Sequence, residues 1–274
     1  MRRVLRLVLM FVAVGYLGLI ILALGSDRII FQPHASSYRD SEFASAMPAV
    51  QYIRIPSGNA TISAIYLPNP SSKFMLLYSH GNGEDIGDDL PIFEEFRQAG
   101  FAVFAYDYRG YGTSTGSPSE KGVYEDVHAA YVYLTQFVGV APDHIISFGH
   151  SLGAAAAIEL AATRPVAGLI ADAPFVSAFR ILTRVQLLPW DKFNNAARIR
   201  RVHCPVLVIH GRADEVISYW HGKRIYELAN LPKRFVTLDR AGHNDALVVS
   251  RQRYLQALSQ FATTLASQSP QPAD

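Results

Sequence analysis

Short runs of apolar, β-branched or aromatic residues recur along the chain, each bounded by turn residues, at 51–55, 61–67, 74–79, 102–107, 144–148, 168–173, 205–210 and 235–238. From the third onward they read as buried strands. Between them, 88–99, 120–137, 152–163, 220–229 and 246–265 carry the three-to-four-residue apolar spacing of helices. Strand–helix alternation of this kind predicts an α/β fold: a mostly parallel eight-stranded sheet with helices on both faces. The first two strands are joined only by Ser57-Gly58-Asn59, so the sheet is expected to begin antiparallel. Between the strands ending at Ala173 and beginning at Pro205, an apolar stretch at 175–188 is enough for a short lid, not a cap domain.

A different pattern precedes the sheet. Residues 7–25 carry no charge, and Arg2, Arg3 and Arg6 stand before them. As a helix these residues reach about 28 Å, close to the ~30 Å hydrocarbon core of a bilayer. Asp27 and Arg28 cancel on the far side, so the positive-inside rule predicts a single-pass anchor. Its N-terminus would be cytoplasmic and the body of the chain extracytoplasmic (periplasmic in a bacterium). The competing reading is a signal peptide cleaved before Ser26, giving a secreted protein; against it, signal cores run about 7–15 residues. The expected division is therefore 1–28 tip and transmembrane anchor, 29–266 catalytic domain, and 267–274 a polar, disordered tail.

Half of the residues are hydrophobic and 18% are charged, which excludes a disordered chain. The net charge of +2 comes from the N-terminal tip: without its three arginines the remainder carries −1. A near-neutral body argues against nucleic acid as a partner. With the single Cys204 and no HExxH spacing, the pattern calls for no metal and no cofactor.

Gly-x-Ser-x-Gly occurs twice, and the chemistry needs it between a strand and a helix. Gly112-Thr113-Ser114-Thr115-Gly116 follows a strand that has already ended at Asp107, and Ser117-Pro118 comes next; it reads as a surface loop. Gly149-His150-Ser151-Leu152-Gly153 is fed directly by Ile145-Ile146-Ser147-Phe148 and runs into Ala154-Ala155-Ala156-Ala157, a strong helix former. Ser151 is therefore the candidate nucleophile, the alternative being a plain helix-capping serine. A serine needs a base, and the base an orienting acid. His243, in Ala241-Gly242-His243-Asn244-Asp245 after the last strand, is the candidate base; His203, His210 and His221 fall at the wrong end of a strand, in one, or on a helix. Asp214, in the loop after the strand at 205–210, is the candidate acid, with Asp172 as rival. The oxyanion of acyl transfer needs N–H donors. Leu152, opening the elbow helix, and Asn82, in His80-Gly81-Asn82-Gly83, are the candidates through their backbones. Asp107 and Arg109 are expected to brace loops around the site.

Together, Ser79-His-Gly-Asn-Gly-Glu-Asp85, Tyr106-Asp-Tyr-Arg-Gly-Tyr-Gly112, the elbow, 205–215 and Gly242-His-Asn-Asp245 resemble the α/β-hydrolase superfamily over about residues 29–265. More narrowly, they are similar to the single-pass membrane-anchored serine hydrolases related to the fungal bud-emergence protein and to the animal acyl-protein thioesterases of the α/β-hydrolase-domain group. The resemblance implies a serine hydrolase acting on acyl ester or thioester substrates, such as a lipid or a lipidated protein. The depalmitoylating relatives carry a cysteine-rich, lipid-modified N-terminus; this chain has an arginine-tipped helix instead. A serine peptidase and a non-catalytic binding module on the same scaffold are the alternatives.

Overall fold

The computed structural model describes residues 2–39 and 50–268. Eight strands form one sheet: β1 (Gln51–Ser57), β2 (Ala60–Leu67), β3 (Met75–Ser79), β4 (Ala102–Tyr106), β5 (Ile145–His150), β6 (Gly168–Asp172), β7 (Val206–Gly211) and β8 (Lys233–Leu238). Their order is β1-β2-β4-β3-β5-β6-β7-β8. The β1–β2 pair is antiparallel as expected, but so is β2–β4; the remaining pairs are parallel, and the sheet is mixed. The structure is an α/β-hydrolase fold. Parallel strands read as continuous apolar runs because helices cover both faces. β3, β4, β5, β6 and β7 are buried throughout.

The helices are α1 (Arg2–Leu24), α2 (Asp27–Ile30), α3 (Leu90–Gln98), α4 (Glu120–Tyr133), α5 (Leu152–Thr163), α6 (Arg180–Thr183), α7 (Asn195–Arg198), α8 (Tyr219–Leu228), α9 (Ala246–Val249) and α10 (Arg251–Gln268). Two predicted helices differ from expectation. The one expected over 120–137 closes in a π-helical turn, Leu134–Val138, before Gly139 at φ 81°. The one expected over 246–265 breaks at Ser250 into α9 and α10. α10 also continues through Gln268, two residues into the segment read as a polar tail; the rest of that tail lies outside the described residues.

One core layer, with Tyr78, Phe93, Phe96, Phe148 and Tyr254, lies between the sheet and the α3/α10 side. Another, with Phe104, Tyr106, Val123, Val127, Leu152 and Ala156, lies between the sheet and α4 and α5. α5 runs through the centre: Ala154, Ala155, Ala156 and Ala157 are all fully buried. Their small side chains are what lets a helix sit this close to the strands.

α1 is the exception to this packing. Residues Arg3–Leu24 form one apolar helix of 22 residues, about 33 Å long. Val8, Phe11, Val12, Leu17 and Leu22 are exposed, and Ala23, near its end, is buried. That is not the pattern of a core helix; it is compatible with membrane anchoring. The segment between β6 and β7 contains only α6, α7 and a 3₁₀ turn at Ile199–Arg201, so the lid is short.

Candidate active site

β5 drives straight into the turn that carries Ser151. The serine sits at φ 53°, ψ −113°, a conformation that non-glycine residues avoid. It is held there by its own N–H, which donates to the Asp172 carbonyl at 2.9 Å, and by the packing of the flanking glycines. A Cβ on Gly149 would meet the Gly153 carbonyl oxygen at 2.0 Å, and one on Gly153 would meet the Ser79 carbonyl oxygen at 1.9 Å. The obstacle in both cases is backbone, which cannot swing aside, so β5, α5 and β3 can approach only through glycine.

Ser151 Oγ lies 2.9 Å from His243 Nε2, and His243 Nδ1 lies 2.8 Å from Asp214 Oδ2. With the imidazole proton on Nδ1, the ring donates to the carboxylate and Nε2 is left to accept from the serine hydroxyl. Three elements supply these groups: the β5–α5 turn, the loop after β7 and the loop after β8. All three loops lie at the carboxyl ends of parallel strands, where sheets of this class place their chemistry.

Asp214 is fixed on every side. Its Oδ1 accepts from the Val216 and Ile217 N–H groups at 2.9 and 2.7 Å, and His210 Nε2 stands 3.3 Å from Oδ2. Burial alone would raise its pKa, but hydrogen bonds from His210, His243 and the Ile217 N–H outweigh that and hold the carboxyl below the usual carboxylate range.

The rival carboxylate is engaged elsewhere. Asp172 Oδ2 lies 3.1 Å from His150 Nδ1 and accepts from the Tyr254 hydroxyl at 2.9 Å. Burial opposes a charge on His150, yet the Asp172 hydrogen bond and the nearby charges of Asp172, Glu84 and Asp89 push its pKa up to about 10. The His150 and His243 rings are 5.1 Å apart. The pairing of this buried histidine with Asp172, beside His243, was missed by the sequence reading. A signal was there: His150 is one of the elbow's two variable residues, and it pairs with Asp172 across β5 and β6.

The loop after β3 brings Asn82 up with both ends of its side-chain amide hydrogen-bonded. Nδ2 donates to the Ile30 carbonyl at 2.7 Å, while Oδ1 accepts from the Tyr111 hydroxyl at 2.7 Å and the Gln32 N–H at 3.3 Å. The Asn82 N–H itself has no acceptor among the described residues. Leu152 opens α5, so its N–H is one of the free donors at a helix start, next to Ser151. Gly81 is closely packed in this loop: a Cβ there would meet Glu84 Oε2 at 2.5 Å and His150 Cδ2 at 3.3 Å.

The bracing residues act as expected. Asp107 accepts from the Ile86 N–H at 2.9 Å and from the Tyr38 hydroxyl, and Arg109 makes a forked ion pair with Asp126. Ser114 lies in a turn, donating to the Asp107 carbonyl and accepting from the Ser63 N–H. Among the described residues, His34, Asp85 and Asp88 present ligand-type atoms within 4.8 Å of one another. Asp85 is already bound to Ser37 and the Gly87 N–H, and His34 to Asp88, so the group satisfies itself.

A family described as "Serine aminopeptidase, S33" matches residues 70–196. The chain is 35% identical over 213 residues to alpha/beta hydrolase domain-containing protein 17B of Xenopus tropicalis, covering 77% of this chain and 73% of that one. It is 34% identical to the human protein of the same name, over the same shares. The chain belongs to the alpha/beta hydrolase domain-containing protein 17 family. In this family member the N-terminal apolar helix and the hydrolase fold occur in one chain. Among solved structures, an esterase of Pyrococcus furiosus superposes with a TM-score of 0.71 at 18% identity, covering 85% of this chain and 96% of that one. Est1E of Butyrivibrio proteoclasticus, solved with ferulic acid, gives 0.65 at 18%, covering 79% and 100%. At such identities these two speak to the fold.

Proposed function

We propose that this hydrolase-family chain is a membrane-anchored serine hydrolase that cleaves carboxylic ester or thioester bonds of acyl substrates. The observation that carries the reading is the unbroken hydrogen-bond chain from Ser151 through His243 to Asp214. Ser151 Oγ attacks the carbonyl carbon while His243 Nε2 takes its proton. Asp214 keeps the proton on Nδ1 and offsets the charge of the imidazolium. The tetrahedral oxyanion accepts from the Asn82 and Leu152 N–H groups. Collapse breaks the bond to the alcohol or thiol, which leaves with the proton from His243, and an acyl-enzyme remains on Ser151. Water, deprotonated by the same histidine, then releases the acid.

The membrane supports the acyl side of this reading. The anchor places the domain beside lipid, and a buried acyl chain contributes roughly 0.8 kcal/mol per methylene. The arginines of the tip orient the N-terminus to the cytoplasm and the domain outside it. A reporter fused after Asp274 should behave as extracytoplasmic. A mature N-terminus at Ser26 would replace the anchor with a cleaved signal.

The deciding experiment uses the full-length chain in detergent. It should hydrolyse acyl esters or thioesters more efficiently as the chain lengthens, below each ester's aggregation limit. A fluorophosphonate probe should label Ser151, located by peptide mapping. The name of the matching family favours a second reading, a peptidase; cleavage of peptides but not esters would establish it. Absence of both turnover and labelling would leave a binding module.

A further inference from the structure

The lid segment between β6 and β7 meets the end of the N-terminal helix. Its apolar residues turn toward the end of the N-terminal helix, and a pocket of about 250 Å³ opens between them. Leu19, Leu22 and Ile29 wall one side, and Phe179, Leu182 and Leu188 the other. Leu182, 90% exposed, and Ile29, 63% exposed, stand at its rim. Large apolar side chains left open beside a membrane-length helix mark a surface made for lipid.

The polar side chains in the lining are turned to other tasks. Ser26 donates to the Ala23 carbonyl, and Thr183 to the carbonyls of Phe179 and Val185. Gln186 accepts from Arg180 and donates to the Leu188 carbonyl. Asp191 Oδ2 accepts from Ser177 and Arg180, which leaves Asp191 Oδ1 as the buried lining atom without a partner. Such a wall offers almost nothing to hydrogen-bond, so its occupant is apolar. Its volume falls just under the ~300–1,000 Å³ of pockets for drug-sized ligands, which suits one slender chain and excludes a helix or a folded peptide.

The pocket borders the loop that carries Asn82. Ile30 lines it, and the Ile30 carbonyl accepts the hydrogen bond from Asn82 Nδ2. One residue therefore stands between the apolar wall and the loop assigned to the oxyanion. Lys192 and Asp27 form an ion pair that ties the lid to the start of α2 across the same seam.

We propose that this pocket is the acyl-chain site: it takes a single fatty acyl chain of a membrane-borne ester or thioester, with the anchor helix itself as one wall. The inference rests on the hydrolase reading above. On it, the anchor does more than tether: it supplies part of the substrate site, and chains enter from the bilayer along α1.

The test fills the pocket in the full-length chain and reads binding separately from turnover. Ala178→Phe places a ring in the lining, and Ala178→Ser keeps its volume. With Ala178→Phe, kcat/KM on a dodecanoyl nitrophenyl ester should fall about tenfold or more, since several methylenes lose their burial. The butanoyl ester should change less than about twofold, and Ala178→Ser should match the parent on both. In parallel, a fatty acid with a terminal diazirine should crosslink to Phe179 or Leu182 in the parent and lose that adduct in Ala178→Phe. Unchanged chain-length dependence in a folded Ala178→Phe variant would overturn the proposal, even if the crosslink remained, because the pocket would then hold a bystander lipid. Crosslinks confined to other regions would overturn it as well. If both esters fell together, the crosslink would decide between a blocked chain and a disturbed loop. If the parent cleaved no ester, the hydrolase reading would fail and take the proposal with it even with a crosslink at the lid, whereas turnover with an unchanged chain-length dependence sinks the proposal alone.

Discussion

Ser151 and Ser114 occupy the same five-residue pattern in two parts of the molecule, and the glycines around them play different roles. In the elbow, the serine carries the positive φ, and Gly149 and Gly153 are absent from the left-handed residues. Those glycines exist so that backbone can touch backbone, at distances no Cβ survives. In the turn at 112–116 the serine is unstrained, and Gly112 and Gly116 hold φ 50° and 91°. There glycine serves conformation first, and a Cβ on Gly112 would meet a side chain, the Asp107 carboxylate at 1.9 Å, rather than backbone. Strain carried by the serine exposes its hydroxyl to His243; positive φ carried without strain by the glycines folds a loop back onto β2, where Ser114 meets the Ser63 N–H and Thr115 N–H donates to the Thr61 carbonyl. A five-residue pattern is thus not yet a site, and which residue of it bears the strain separates a reactive turn from a structural one.

The sharpest break in this comparison is Ser151→Ala. Ester hydrolysis and fluorophosphonate labelling should fall to background, a loss on the order of 10⁶ where a serine protease has been measured. Labelling that survives here and vanishes in Ser114→Ala would reverse the two assignments.

Next in size is Asp214→Asn. The amide leaves the fold in place but favours the wrong imidazole tautomer at His243, and turnover should fall by about 10⁴, as in a serine protease. Asp172→Asn should cost far less turnover, because its partners are His150 and Tyr254. Equal losses from the two would mean that His243 can be oriented from either side. Circular dichroism on both variants checks the fold.

His150 and Asp172 also give the stability a direction with pH. The folded pKa of His150 is raised to about 10 against an unfolded value near 6.5. Its contribution is therefore fully present below the unfolded value and is lost as pH rises through the folded one. The apparent unfolding temperature should decline between about pH 7 and 10, and Asp172→Asn should flatten that decline. A parent protein equally stable across the range would show that the pair is not an ion pair. Asp214 runs the other way: its depressed carboxyl contributes above the ordinary carboxylate range and is lost only in strong acid.

Much of this was readable in the chain, and the limits have physical causes. Buried parallel strands are apolar on both faces, so β3 to β7 announce themselves within a residue or two. Ser151, His243 and Asp214 each sit where a strand meets a loop, and that junction is visible locally. The partners of Asn82 are not: Ile30 is 52 positions away in the chain, and only the return of α2 over the β3 loop brings it near. The same holds for Tyr254, delivered to Asp172 from α10. The antiparallel β2–β4 contact was hidden because β3 enters the sheet on the far side of β4. The break at Ser250 interrupts a periodic pattern without any proline or glycine to mark it.

The smallest effect belongs to Ser114→Ala, and it is the one that tests the structural half of the comparison. The hydroxyl accepts from the Ser63 N–H at 2.8 Å and donates to the Asp107 carbonyl at 3.1 Å. Ser63 is fully buried, so removing the acceptor strands an amide away from water. Such a loss costs about 1–3 kcal/mol of stability, with the lower end fitting a half-exposed turn that admits water to the gap. Because Asp107 also holds the Ile86 N–H and Tyr38, the damage should stay in the turn rather than reach Ser151. Denaturant unfolding should therefore show a midpoint shift at unchanged slope, while ester hydrolysis stays within about twofold of the parent. A drop in turnover without a drop in stability would place Ser114 in the chemistry after all.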